Sequence, residues 1–262
     1  MTSVEKLYGE YWAGDENALD AELDRSLDPR GTDWLFTFFA ELGPQAGQLV
    51  VDVGARDASG AIRLVRDHSL RAIALDPVAL NVERARAAAA GLDVEVIQAA
   101  IEEMPIEDGS ADWIWCRDVL VHVDAERGFA ECARILRPGG QMLAYVTCAT
   151  QSLEPREGAE LFGALAIVRD STDPGTLERH ASEARLTLVS KIELGGEWRE
   201  RMIEEETWDP GADLLRLSRL QRKEQFRAPD DRVAAYVAGR RWGIYQLLGK
   251  LCPTVYLWQK DA

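Results

Sequence analysis

Short apolar runs, each closed by a turn and followed by a helical pattern, fill the middle of the chain and constrain its fold more than any other feature. The first run is Leu49–Val53. It carries Asp52 near its end and passes Gly54 into a predicted helix over Ala58–Asp67. The second, Ala72–Asp76, also ends in an acid, then Pro77 precedes a helix over Val78–Ala90 stopped by Gly91. A third run, Val94–Gln98, leads through the loop AAIEEMPIEDGS to a fourth, Asp112–Cys116. Asp124 is placed to cap a helix through Leu136, and Pro138-Gly139-Gly140 turns the chain into a fifth run, Gln141–Cys148. Strand–helix units of this length require a parallel sheet with right-handed crossovers and helices on both faces. The strands are nearly continuous in apolar residues, as expected when both faces are covered.

The pair Asp52 and Asp76 gives this pattern a chemical meaning. They stand one strand–helix–strand unit apart, an arrangement suited to a nucleoside. The first turn lets backbone approach the ligand, and the acid after the second strand accepts hydrogen bonds from ribose hydroxyls.

The flanks differ from the middle. Residues 1–47 are expected to form a helical cap in which Tyr8, Tyr11 and Trp12 share one helix face. Beyond Thr150, helices are expected from Pro155 and from Asp173-Pro174, then a strand over Leu186–Leu194. Residues 197–250 are charged and helical, and Pro253–Lys260 is the last strand. The resulting division is a cap (1–47), a core (48–196), a helical insertion or lid (197–250) and a final core strand (251–262).

Bulk properties narrow the function. The chain has 262 residues, an apolar share of 47% and a net charge of −15. That composition supports a sizeable core and lacks the basic stripe of a nucleic-acid binder. The four cysteines are scattered with no CxxC pair, and the three histidines are isolated. Neither a disulfide framework nor a metal site is expected. The N-terminal sequence MTSVEKLYGEYW lacks a signal-peptide pattern, and no apolar run reaches the ~20 residues of a membrane span. A cytoplasmic protein acting on a small molecule, without nucleic-acid or membrane partners, is the expectation; oligomeric state is left open.

Four ordered blocks carry a resemblance: the DVG turn, the ALDP strand end, MPIEDGSADWIWCRDVLVHV and ARILRPGGQMLAYV. Together they resemble the class I S-adenosylmethionine-dependent methyltransferases, in particular the type 11-like group that methylates small molecules. The likeness is firm over about residues 48–150 and looser over the two late strands. It implies a Rossmann-like α/β fold, a mostly parallel seven-stranded sheet whose antiparallel last strand lies between strands five and six; relatives join those last strands by a short turn, so the helical lid expected here is an insertion. It also implies S-adenosylmethionine as cofactor and S-adenosylhomocysteine as product.

The resemblance assigns roles residue by residue. Asp52 and Gly54 match the acid and first glycine of the family's D/E-x-G-x-G-x-G turn, whereas Arg56 and Ala58 replace its later glycines. Arg56 either pairs with the cofactor's carboxylate or is a surface arginine on a variant turn. Asp76 matches the ribose acid, with Pro77 beside it. Ala100, Ile101 and Glu102 occupy the adenine loop, where Ile101 could pack on the base and Glu102 could replace a missing acid. Cys116 and Arg117 align with the cofactor's amino-acid end, which backbone carbonyls would receive. Tyr11, Trp12 and Arg30 are further candidates for closing the cofactor site. His122, Asp118 and Glu197 are the candidate bases; a packed, hydrogen-bonded position at a helix start explains His122 as well, and pairing with Arg117 explains Asp118. Trp113 and Trp115 are expected in the core. An alternative keeps the fold without methyl transfer, as a cyclase or isomerase using bound cofactor or as a vestigial site. A nicotinamide oxidoreductase is disfavoured because GxGxxG is absent.

Overall fold

The computed structural model describes residues 3–6, 20–24, 28–223 and 230–262. Seven strands form one sheet: β1 (Leu49–Val53), β2 (Arg71–Asp76), β3 (Val94–Gln98), β4 (Ala111–Arg117), β5 (Leu136–Ala149), β6 (Leu186–Glu193) and β7 (Leu251–Lys260). Their order is β3-β2-β1-β4-β5-β7-β6. All pairings from β3 across to β5 are parallel, and β7 runs antiparallel to both β5 and β6. The sheet therefore matches the expected architecture, including the antiparallel strand inserted between β5 and β6.

Alternation along β4 sends side chains to two separate cores. Ile114 and Cys116 join one face, with Phe129 and Cys132 of α4 (Ala125–Ile135) and Leu177 of α6 (Pro174–Glu183). Trp113 and Trp115 join the other, with Phe36 and Phe39 of α1 (Trp34–Glu41), Leu64 of α2 (Ser59–His68) and Ala85 of α3 (Ala79–Ala88). Phe39 is fully buried and meets Trp113 and Trp115 edge-on at 5.0 and 5.8 Å. Truncating such a ring to alanine costs about 3–5 kcal/mol. These aromatics fix α1 over the sheet.

Local signals placed most boundaries. Asp124 caps α4 by accepting from the Arg127 amide, and Asp173 does the same for α6 from Thr176. One boundary differs. Pro138-Gly139-Gly140 does not separate helix from strand, because β5 already begins at Leu136. Gly139 at φ 74° and a register shift against β4 absorb the turn inside the strand. The last strand likewise begins at Leu251, before Pro253, because Ala149 pairs with Leu251.

Among the described residues, three helices lie between β6 and β7: α7 (Glu197–Glu204), α8 (Pro210–Gln221) and α9 (Asp231–Leu247). Against α5 (Pro155–Ala164), α9 builds a third core from Leu161, Phe162, Ala238, Ile244 and Tyr245. Trp242 packs against this cluster. No helix among the described residues is long and apolar enough to cross a membrane.

Candidate active site

The strand order reverses between β1 and β4, so crossovers leave in opposite directions and open a crevice at the strands' carboxyl ends. A cavity of about 580 Å³ lies there. Its lining comes from the β1 turn (Asp52, Gly54, Ala55, Arg56, Gly60), the β2 end (Asp76, Pro77, Val78), the β4 end (Trp115, Arg117, Asp118, Val119, His122), and Thr32, Tyr145, Trp198 and Arg199.

The turn after β1 explains why substituted glycines are tolerated there. Gly54, Arg56 and Ala58 all have positive φ, at 68°, 52° and 60°. The glycine-type backbone is thus retained with L-residues at two positions, at a strain of order 1 kcal/mol each. Gly54 has no such latitude: a Cβ there would stand 2.3 Å from Val119 Cγ2. Gly60 makes room for the Asp52 carboxylate, which a Cβ would meet at 2.9 Å. Asp52 accepts from the Ala61 amide at 2.9 Å, yet burial pushes its carboxyl up to about 7.

Asp76 ties the two turns together. One oxygen accepts from the Arg56 amide at 2.9 Å; the other accepts from the Val78 amide at 2.9 Å and the Asn81 side chain at 3.1 Å. Its side chain is buried at the cavity edge. A carboxylate offers about four acceptor positions, so capacity remains for a ligand hydroxyl.

At the far end, Asp118 (φ 58°) accepts from the Thr147 amide at 3.2 Å, and burial raises its pKa. Tyr145 and Trp198 pack at a centroid distance of 4.5 Å. His122 Nδ1 lies 3.1 Å from the Ala166 carbonyl, which can only accept. That contact puts the ring proton on Nδ1 and leaves Nε2 as an acceptor. Arg199 donates to Gln246 Oε1 at 2.6 Å.

Several expected site residues sit elsewhere. Arg30 and Glu197 come together, but with each other: Arg30 Nε and Nη2 reach the two carboxylate oxygens at 2.6 and 2.5 Å, and the Arg30 amide donates as well. Arg30 holds the Glu197 carboxyl below its usual range, opposite to what a base working near neutrality needs. Ile101 is buried beneath the sheet end among Leu120 and Phe129. Glu102 accepts from the Asp124 amide at 3.3 Å. With Ala100, these loop residues pack towards α4 and do not line the cavity. The Cys116 side chain points into the opposite core, where burial pushes its thiol up to about 12. Trp242 and Tyr245 belong to the α5–α9 core. Tyr11 and Trp12 lie outside the described residues.

The sequence reading missed Tyr145 as a lining residue and assigned Trp115 to the core alone. Parity was the available signal. Trp115 and Arg117 alternate onto one face, and Arg117 pairs in register with Tyr145.

Residues 51–144 match the family model described as a methyltransferase domain. A sarcosine/dimethylglycine N-methyltransferase of Halorhodospira halochloris is 29% identical over 53% of this chain and 53% of its own length. The chain thus spans about half the length of this curated relative. Among solved structures, a phosphoethanolamine N-methyltransferase of Haemonchus contortus superposes with TM-score 0.69 at 18% identity, over 89% of this chain and 54% of that one. A geranyl diphosphate C-methyltransferase of Streptomyces coelicolor superposes with TM-score 0.65 at 15% identity, over 87% and 79%.

Proposed function

We propose that the chain, which resembles the class I S-adenosylmethionine-dependent methyltransferases and matches a methyltransferase-domain model over residues 51–144, transfers a methyl group from S-adenosylmethionine to a small-molecule acceptor in the crevice between β1 and β4. The observation that carries this reading is the placement of Asp76 at one end of a cavity that begins on a glycine-type turn. The residues present fit the cofactor. Gly54 holds the turn in its left-handed backbone at the cavity wall, Asp76 keeps acceptor capacity for ribose hydroxyls, and neither Arg56 nor Arg117 is ion-paired among the described residues. Either arginine suits the cofactor's carboxylate.

S-adenosylmethionine supplies a methyl group that is already electrophilic on its sulfonium. The chain's own task is to orient a nucleophile in line with it and exclude water, which is worth ~7–11 kcal/mol of barrier. Trp115, Tyr145 and Trp198 form the apolar wall for that purpose. His122 Nε2 is the proton acceptor for a protonated nitrogen or oxygen nucleophile, a role worth ~100-fold or more. The described parts of residues 28–47 and 197–250 act as cap and lid over the core of residues 48–196 and 251–262. The Arg30–Glu197 pair is the latch between cap and lid. The relatives named above act on sarcosine, dimethylglycine, phosphoethanolamine and geranyl diphosphate, and a small acceptor of that scale suits the cavity.

Incubation with labelled S-adenosylmethionine and a pool of small amines, acids and phosphoesters tests the reading. Acceptor-dependent formation of S-adenosylhomocysteine together with a labelled product is expected. Tight cofactor binding with no acceptor-dependent turnover contradicts methyl transfer and favours the non-methylating alternative.

A further inference from the structure

Arg199 is a cation set into the cavity wall without a counter-ion among the described residues. Its Nε donates to Gln246 Oε1 at 2.6 Å, and its Nη1 contacts Met202 Sδ at 3.3 Å. Both partners are neutral. The guanidinium lies over Trp208, 5.3 Å from the ring centroid. Gly243 provides the seat, since a Cβ there would lie 3.4 Å from Arg199 Cζ and 2.9 Å from the Trp208 ring. No carboxylate among the described residues comes within ion-pair distance of Arg199, although Asp118 contributes at longer range. Asp118 is committed to the Thr147 amide, and burial favours its neutral form.

The contrast is with the arginines around it. The chain carries 45 acidic residues against 30 basic ones, so carboxylates are abundant. Neighbouring arginines use them: Arg30 takes Glu197, Arg201 takes Glu205, and Arg240 takes Asp213. Arg199 is half-buried, and burial pulls its pKa down. A guanidinium nevertheless stays charged at neutral pH, so the desolvated fork needs an anion to complete it.

Its position selects which anion. Asp76 ends β2 and Tyr145 lies on β5, and the sheet order puts β1 and β4 between these strands. Three strand spacings separate the two ends of the crevice by roughly 14 Å. With the ribose at Asp76, Arg199 and its neighbours Tyr145 and Trp198 stand at the acceptor end. We propose that Arg199 anchors an anionic group, carboxylate or phosphate, on the methyl acceptor. This rests on the methyl-transfer reading of the same cavity. A bidentate fork of this kind would fix the acceptor's register and leave its nucleophile to face the methyl group.

Calorimetry separates the two layers. Protein saturated with S-adenosylhomocysteine is titrated with acetate, inorganic phosphate and neutral acetamide at constant ionic strength. At least one anion is expected to bind, its identity distinguishing a carboxylate from a phosphate acceptor, while acetamide does not. Arg199→Gln is expected to weaken that anion by about tenfold or more and to leave S-adenosylhomocysteine affinity within about threefold. Gln246→Glu provides the missing internal carboxylate with Arg199 still in place, and the same loss of anion binding is expected. Cofactor-product binding without any anion binding, or anion binding equal in both variants and wild type, overturns the anchor alone. A tenfold loss of S-adenosylhomocysteine affinity in Arg199→Gln also overturns it, by giving the arginine to the cofactor's carboxylate. Failure of S-adenosylhomocysteine to bind the wild-type protein overturns the underlying reading and the anchor with it.

Discussion

The two ends of the crevice are built differently. At the β1–β2 end, neighbours in sequence satisfy one another. Asp52 accepts from Ala61, and Asp76 accepts from Arg56, Val78 and Asn81. At the β5–α7 end, contacts join distant parts of the chain. Arg30 reaches Glu197 across 167 positions, and Arg199 reaches Gln246 across 47. The first end is a self-contained unit whose geometry survives changes elsewhere. The second depends on how cap, sheet and insertion pack together, so it can vary without disturbing the first. On the proposed methyl-transfer reading, the cofactor occupies the first end and a protein-specific acceptor the second.

The sharpest way to break the comparison is Gly54→Ala. A methyl 2.3 Å from Val119 Cγ2, at φ 68°, has to displace the turn. Destabilisation of about 2–4 kcal/mol by denaturant unfolding is expected. S-adenosylhomocysteine affinity should fall about 100-fold. Unchanged affinity would show that the local end is not rigid.

Glu197→Gln probes the long-range end. Both partners of the Arg30 pair are 30% exposed, so the expected stability loss is at most about 1 kcal/mol in thermal unfolding. The acid limb of the turnover–pH profile should persist, because Arg30 engages both oxygens of the Glu197 carboxylate. Its disappearance would restore Glu197 as the base.

Asp52→Asn sharpens the local end through pH. Burial raises the folded-state pKa of Asp52 to about 7, so the group's stabilising contribution is present in acid and lost as pH rises through that value. Ligand-free wild type should therefore lose stability relative to Asp52→Asn between the ordinary carboxylate range near ~4 and about 7. Parallel Tm curves over that window would contradict the shift.

The smallest effect belongs to Arg56→Gly. Replacing an L-residue at φ 52° should relieve strain, and the entropy of a new glycine offsets part of the gain. A net change within about 1 kcal/mol of wild type, towards greater stability, is expected from denaturant unfolding. A clear loss would mean that the Arg56 side chain supports the turn.

Legibility followed the same division. Strand period, the acids at the strand ends and Gly54 were readable because each acts within a few residues. Sheet order, including β7 between β5 and β6, came through the family resemblance. The resemblance also placed Ala100, Ile101 and Glu102 by alignment, but Ile101 is drawn into the apolar core and Glu102 to the start of α4. Glu197 looked available in sequence because its partner Arg30 lies in another segment. Arg199 was visible as a residue near a strand end. Its lack of a counter-ion was not, since that depends on α9 presenting Gln246 and Gly243.

The affinity of Asp76→Ala for S-adenosylhomocysteine, set beside wild type in the same calorimeter, tests the central claim most directly. Wild-type binding and at least a tenfold loss in the variant, with its fold intact by circular dichroism, are the predicted result for a carboxylate that holds the ribose. Equal affinities, or a wild-type protein indifferent to both methyl donor and product, would contradict the account.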